Sequence, residues 1–187
     1  MARAQKKAEA EGRAIVFVDE SGFYLLPAVV RTFAPRGQTP VLREVWTRDH
    51  LSAISGITPD GRLSMRVHEV PFQSPAVVQF LKQVHRQVSG KLLVVWDGAP
   101  IHRSKVIKAF LAGDAAEWLQ VERLPAYAPE LNPDEGVWHH LKGVELKNVL
   151  CQHLGHLRAE LRKAKERLRH KRPVLRACYA RPGLLTV

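Results

Sequence analysis

The sequence predicts a mixed α/β domain in which a five-stranded sheet carries helices on its faces. Three observations support this. Short apolar runs rich in β-branched residues recur at residues 14–18, 51–58, 63–70, 91–96 and 118–124. The second and third are separated only by Pro59-Asp60-Gly61-Arg62, a turn signal that makes them an antiparallel hairpin. From Ser74 onward strands alternate with helical patterns, the arrangement that produces parallel pairing.

The elements follow in order. Residues 2–13 are Ala, Lys, Glu, Gln, Arg and Gly and read as a short polar helix or a frayed lead-in. Ala14-Ile15-Val16-Phe17-Val18 is a buried strand, and Asp19-Glu20-Ser21-Gly22 falls where it ends. Residues 23–50, rich in Pro, Gly and Arg, read as irregular chain with one short strand. After the hairpin, Ser74 serves as N-cap and Pro75 as first helical residue. Val77, Phe80, Leu81, Val84 and Val88 line one face of that helix at helical spacing, and Ser89-Gly90 stops it. The strand at 91–96 ends at Asp97. A helix at 104–112 leads to the strand at 118–124. Pro125 and Pro129 stiffen the loop before a helix that starts at Asn132-Pro133. In the last long helix, about 153–171, Leu154, Leu157, Leu161, Ala164 and Leu168 form the apolar face. Arg158, Arg162, Lys165 and Arg169 fall on other faces, as a solvated side or a DNA-facing one. A mixed sheet in this order is the plan of ribonuclease H-like domains.

Composition narrows the class. The chain has 187 residues, 45% hydrophobic and 25% charged, normal for one folded domain and not for a disordered chain. Lys and Arg total 29 against 18 acidic residues, a formal charge of +11, which favours a polyanionic partner, nucleic acid foremost. The excess is concentrated. Residues 138–187 hold twelve Lys and Arg against three Glu, so the rest of the chain is near balance. Two cysteines, Cys151 and Cys178, make no disulfide framework and fit a reducing cytosol. With His153 and His156 they match no zinc spacing. The N-terminus has no apolar run of the signal-peptide kind, and no stretch approaches the length of a membrane span.

The chemistry lies in the carboxylates. Two apolar strands each end in an aspartate, Asp19 and Asp97, and ligands bind at strand ends in sheets of this kind. In-line phosphodiester cleavage uses two divalent ions, one activating the attacking oxygen and one stabilising the leaving oxygen. Mg²⁺ takes oxygen ligands, and a helix-borne Glu135 supplies a third carboxylate. Each also has a plainer reading. Asp19 and Asp97 serve equally as turn residues. Glu135, third in a helix capped by Asn132, occupies the capping-box position. Asp134 is a further candidate, with an electrostatic role at the helix N-terminus as its other reading. Glu20 points to the face opposite Asp19 if the strand continues.

Three blocks then resemble a known family. They are Phe17-Val18-Asp19-Glu20-Ser21, Trp96-Asp97-Gly98-Ala99-Pro100-Ile101-His102, and Leu124-Pro125-Ala126-Tyr127-Ala128-Pro129-Glu130-Leu131-Asn132-Pro133-Asp134-Glu135-Gly136-Val137-Trp138. Together they resemble the catalytic blocks of DDE transposases, in particular the bacterial insertion-sequence branch of the mariner superfamily. Phe33-Ala34-Pro35-Arg36-Gly37-Gln38-Thr39-Pro40 is similar to that branch as well. The resemblance implies a ribonuclease H-like (retroviral integrase-like) catalytic domain over residues 14–150. A polar lead-in at 1–13 precedes it, and a basic helix and tail at 151–187 pack on the same domain. It implies Asp19, Asp97 and Glu135 as catalytic, metal-binding residues in a two-ion Mg²⁺ or Mn²⁺ site. The implied activity is endonucleolytic strand cleavage and 3′-hydroxyl transfer during DNA transposition. His102 matches a family histidine, which orients a carboxylate or phosphate or packs in the core. Trp138, one turn beyond Glu135, is a packing anchor.

The expected partners are double-stranded DNA, as transposon ends and target, and a second copy of the chain; no membrane is involved. The implied location is the bacterial cytoplasm, at the nucleoid. Two departures qualify this. Gly98 stands where the branch usually has Asn. The helix-turn-helix region that recognises transposon ends would have to precede residue 14, so it belongs to a separate polypeptide or this copy is truncated. The alternative function is a catalytically impaired DNA-binding remnant that uses Arg158, Arg162, Lys165 and Arg169. Another ribonuclease H-like nuclease, such as a junction resolvase, fits the third block poorly.

Overall fold

A computed structural model describes residues 2–26, 34–38, 49–125 and 128–179. The sheet contains β1 (Arg13–Tyr24), β2 (His50–Ile57), β3 (Leu63–His68), β4 (Lys91–Trp96) and β5 (Leu119–Arg123) in the order β3-β2-β1-β4-β5. β1 pairs antiparallel to β2 and β2 to β3, while β4 pairs parallel to β1 and β5 parallel to β4. This is the mixed five-stranded, ribonuclease H-like sheet that the sequence predicts. The helices are α1 (Ala2–Ala10), α2 (Ser74–Gln87), α3 (Lys105–Ala112), α4 (Asp134–His140), α5 (Leu154–Arg169) and α6 (Arg172–Tyr179). A π turn, Leu141–Glu145, extends α4. No described helix is long and apolar enough to cross a membrane.

Strand alternation divides the core in two. Val16 and Val18 of β1 with Leu92, Val94 and Trp96 of β4 face α2 and α3. Ile15 and Phe17 with Leu93 and Val95 face α4, α5 and α6. Both faces are covered, which is why β4 is apolar at every position after Lys91. The hairpin turn forms as its residues dictate: Gly61 has φ of 81°, Thr58 Oγ1 donates to Asp60 at 2.5 Å, and Arg62 N–H donates back to Thr58 Oγ1 at 3.0 Å.

Three expectations are corrected. β1 does not end at the acidic pair. It continues to Tyr24, because the polar residues Asp19 to Gly22 pair with β2 from Ser55 to Ser52. Ser74 is not the N-cap of α2. Gln73 holds that position, its carbonyl accepts from Ala76 and Val77, and the Ser74 hydroxyl donates to Ile101 O at 3.2 Å. The C-terminal region forms two helices rather than one, with α6 packed against α4 so closely that a Cβ on Gly136 would lie 2.8 Å from Cys178 Sγ. Of the segment at 23–50, residues 27–33 and 39–48 lie outside the described residues; these include Phe33, Thr39 and Pro40.

An ion cluster ties this helical layer together. Glu145, its side chain 5% exposed, accepts from Arg167 at 2.6 Å and Lys171 at 2.8 Å, with His140 at 3.4 Å. Burial opposes ionisation, but the two cations outweigh it and lower the Glu145 carboxyl from 4.5 to about 2. A depressed carboxyl stabilises the fold above its unfolded value and loses that contribution as pH falls toward the folded one. Because Arg167 and Lys171 are half exposed, screening limits the effect. Glu145→Gln is expected to cost about 1–2 kcal/mol in urea unfolding at pH 7, with the difference from wild type shrinking between pH 4.5 and 2.

Candidate active site

The parallel register of β1 and β4 builds the site. It runs from Arg13 beside Lys91 to Phe17 beside Val95. Beyond the last pair the two chains run on to Asp19, which pairs with Ser55 of β2, and to Asp97, just past the end of β4; both line one cleft. The loop from Leu124 and the start of α4 close the third side. The result is a cleft of about 410 Å³ lined by Asp19, Asp97, Glu135, Gly98, Asn132 and Pro129, among others. Ala126 and Tyr127 of the third block lie outside the described residues.

The expected start of this helix is corrected: α4 begins at Asp134 with Pro133, not Asn132, at the N-cap and no side-chain cap bond, so Glu135 is second in the helix rather than third. Asn132 Oδ1 accepts from Asp134 N–H at 3.2 Å, and Asn132 N–H is already donated to Pro129 O at 2.8 Å. The backbone donor that a capping-box Glu would reach is therefore occupied, and Glu135 projects, exposed, into the cleft.

The electrostatics are those of crowded anions. Burial first, then Glu20, Glu135 and Asp97, raises the Asp19 carboxyl from 3.8 to about 7, against the opposing hydrogen bond from Trp138. That bond, Trp138 Nε1–H to Asp19 Oδ2 at 2.8 Å, gives Trp138 a role beyond packing. The indole, edge-on to Phe23, fixes the carboxyl. Lys142, one further turn along, donates to Ser21 Oγ at 2.7 Å. Burial lowers its ammonium pKa, although Glu135 and Asp19 act to raise it. The sequence reading missed both roles. Their only signal was spacing: residues 135, 138 and 142 share one face of a helix.

Glu20 points to the other face of β1, as alternation requires. His102, flat on Trp96 with ring centroids 4.2 Å apart, lies between it and Asp97. Nε2 is 3.0 Å from Glu20 Oε1 and Nδ1 is 2.9 Å from Asp97 Oδ1. Burial lowers the imidazole pKa, but the two carboxylates outweigh it and the net shift is upward. Asp134 is not in the cleft. It is fully buried, takes a short hydrogen bond from the Ser55 hydroxyl, and has a second oxygen without a partner among the described residues. Burial, the largest cause, holds its pKa well above the ordinary value, against the hydrogen bond from Ser55.

Arg158, Arg162 and Arg169 are exposed along α5 and Lys165 is half-buried. Arg158 pairs with Glu69 at 3.0 Å, while Lys165 and Arg169 share Glu166 at 3.3 Å each.

As they stand, no three His, Cys, Asp or Glu side chains among the described residues converge closely enough to hold one metal ion. The donors are nonetheless oxygens suited to a hard divalent cation, and their mutual repulsion gives such a cation something to relieve.

Comparison with known proteins adds an independent finding. A family model described as DDE superfamily endonuclease matches residues 14–158. The catalytic domain of Mos1 mariner transposase superposes with a TM-score of 0.57 at 15% identity, covering 96% of this chain and 86% of that one. A pre-cleavage Mos1 transpososome gives 0.62 at 14% identity, and this chain spans 59% of the Mos1 chain there. A simian T-cell lymphotropic virus intasome in complex with a PP2A regulatory subunit gives 0.52 at 11% identity, covering 80% of this chain and 47% of that one. No curated protein matches the sequence.

The raised Asp19 carboxyl carries a test. An acid whose folded pKa exceeds its unfolded one costs stability as pH rises from the unfolded value toward the folded one. Asp19→Asn is therefore expected to stabilise the metal-free protein at pH 8, by about 2 kcal/mol after allowance for screening, and to have little effect near pH 4. Urea unfolding at the two pH values checks it.

Proposed function

This chain belongs to the DDE superfamily endonucleases, and from that premise we propose that the cleft is a two-metal DNA cleavage and strand-transfer site. The observation that carries this is that Asp19, Asp97 and the exposed Glu135 line one cleft. Asp19, Asp97 and Glu135 would hold the ions. When bound, Mg²⁺ or Mn²⁺ supplies an activated water or 3′-hydroxyl and stabilises the leaving oxygen. Glu135 is exposed, so it is free to turn inward once the charges are neutralised, whereas Asp97 is already held at the cleft by Ala99 and His102. Trp138 holds Asp19 in place meanwhile. The solved relatives agree in kind: Mos1 paired-end complexes occur with Mn and with Mg.

Arg158, Arg162, Lys165 and Arg169 form the proposed DNA-binding stripe. It sits on the basic C-terminal third packed against the sheet, beyond the catalytic region at 14–150 and its lead-in. Arg162 has no carboxylate partner among the described residues, which makes it the readiest phosphate contact. The whole reaction also requires transposon ends to be recognised and paired. We assign recognition to a helix-turn-helix region, carried on this polypeptide or a separate one, and pairing to a second copy of the chain, acting on chromosomal DNA in the bacterial cytoplasm. Gly98 lacks the amide usual at that position in the branch. A Cβ there would meet no atom within 4 Å, so the departure has no steric cause.

Two experiments test this reading. Nicking of duplex DNA with Mn²⁺ is expected to require the metal and to fall roughly a thousandfold, several kcal/mol of transition-state stabilisation, in Asp19→Asn, Asp97→Asn or Glu135→Gln. Equal activity in all three variants would sink the proposal, and DNA binding without any cutting by wild type would identify the impaired remnant instead. For the stripe, Arg158→Ala with Arg162→Ala is expected to flatten the slope of log affinity against log salt by about 0.9 for each phosphate no longer neutralised. An unchanged slope places the DNA elsewhere.

A further inference from the structure

Glu20 and His102 lie behind the cleft rather than in it. Glu20 rises from the face of β1 opposite Asp19. The His102 side chain, 1% exposed, stacks on Trp96 with an interplanar angle of 1°, so its ring has no freedom to turn. Its two nitrogens face two carboxylates, Glu20 Oε1 at 3.0 Å and Asp97 Oδ1 at 2.9 Å. The same Asp97 oxygen accepts from Ala99 N–H at 2.9 Å. Asp97 Oδ1 thus takes one hydrogen bond, from Ala99, and lies in ionic contact with His102 Nδ1, whose own hydrogen bond goes to the Asp97 carbonyl at 3.4 Å. Asp97 Oδ2 has no hydrogen-bond partner among the described residues and is left for the cleft.

We infer that Glu20 is a positioning residue for the proposed reaction: through His102 it holds Asp97 in place at the cleft, with carboxylate Oδ2 left free to bind. The inference rests on the two-metal reading above. The physical basis is general. A ring that orients a ligating group is itself oriented by the acceptor on its far nitrogen, and loss of that outer acceptor weakens metal binding. Asp97 needs this support more than Asp19 does. Asp19 lies inside a strand, paired there to Ser55 of β2, and is gripped by Trp138, whereas Asp97 follows the last residue of β4 and its side chain is half exposed. A Glu–His pair that served only to fill the core would have no reason to place the second nitrogen on a carboxylate at the cleft.

The test compares wild type, Glu20→Gln and Glu20→Ala by three readouts: thermal midpoint without metal, Mn²⁺ affinity by calorimetry, and nicking kinetics. Glu20→Ala is expected to weaken Mn²⁺ binding roughly 10–100-fold and to lower kcat with little change in KM for DNA. Glu20→Gln, whose amide oxygen still accepts from His102 Nε2, is expected to recover most of both. If Glu20→Ala does not fold, Glu20→Asp, one methylene too short to reach the ring, must show the same loss. A lowered thermal midpoint with unchanged Mn²⁺ affinity and kcat would mean a merely structural role and overturn the inference. Wild type that binds no Mn²⁺ would overturn the two-metal reading, and this inference with it. Wild-type binding equalled by Glu20→Ala would overturn the inference alone.

Discussion

The parallel register between β1 and β4 is the constraint on which the rest of the site depends. It carries the two strands side by side as far as Phe17 and Val95, and Asp19 and Asp97, two residues beyond that pair, line one cleft. A slip of one residue in either strand would exchange the faces of that strand and turn one of the two aspartates away from the cleft. The register is in turn fixed by burial. Val16, Val18, Leu92 and Val94 fill one core and Ile15, Phe17, Leu93 and Val95 the other, so a slip would exchange the contents of both. The apolar cores are what allow two like charges to share one cleft.

Those charges oppose folding, and the molecule manages them by different means at each acid. Asp19 keeps a donor, Trp138, yet its carboxyl still rises to about 7. Asp97 is half exposed and lies beside His102. Asp134 is the most deeply buried, and burial pushes its pKa well up. Lys142 brings the nearest permanent positive charge, but it is engaged with Ser21. Stability is thus set aside at this point in the fold in a way that a divalent cation would relieve, the usual signature of a site shaped for binding rather than for rigidity.

How much of this was legible in the sequence depends on whether a residue acts along its own element or across elements. Asp19 and Asp97 could be read because each directly follows an apolar strand run, and the pairing of the hairpin could be read from Asp60-Gly61. The continuation of β1 through Asp19-Glu20-Ser21-Gly22 could not. Its polar residues resemble a loop, and only the ladder to β2 makes them strand. The Trp138 bond to Asp19 spans 119 positions and the His102 contact with Glu20 spans 82. No local pattern encodes such distances, although the helical spacing of Glu135, Trp138 and Lys142 gave a hint. Ser74 misled for the opposite reason: its local pattern was right for a cap, and a tertiary partner, Ile101, took the hydroxyl instead.

The third carboxylate raises a further question, because Glu135 belongs to no strand and inherits nothing from the register. Its position comes from the start of α4, which is fixed at two points. Upstream, Asn132 spends its N–H on Pro129 and its side chain on Asp134, so the helix begins at one place only. On its far side, Gly136 lies against Cys178 of α6 with no room for a Cβ. Tyr179 of α6 donates to Ile57 O at 2.5 Å and meets Phe17 edge-on, which anchors α6 to the two central strands. α4 is therefore held between the loop that starts it and a C-terminal helix that lies beyond the residues matched by the family. The region that reads in sequence as a basic appendage is, by this geometry, what holds Glu135 opposite the two aspartates.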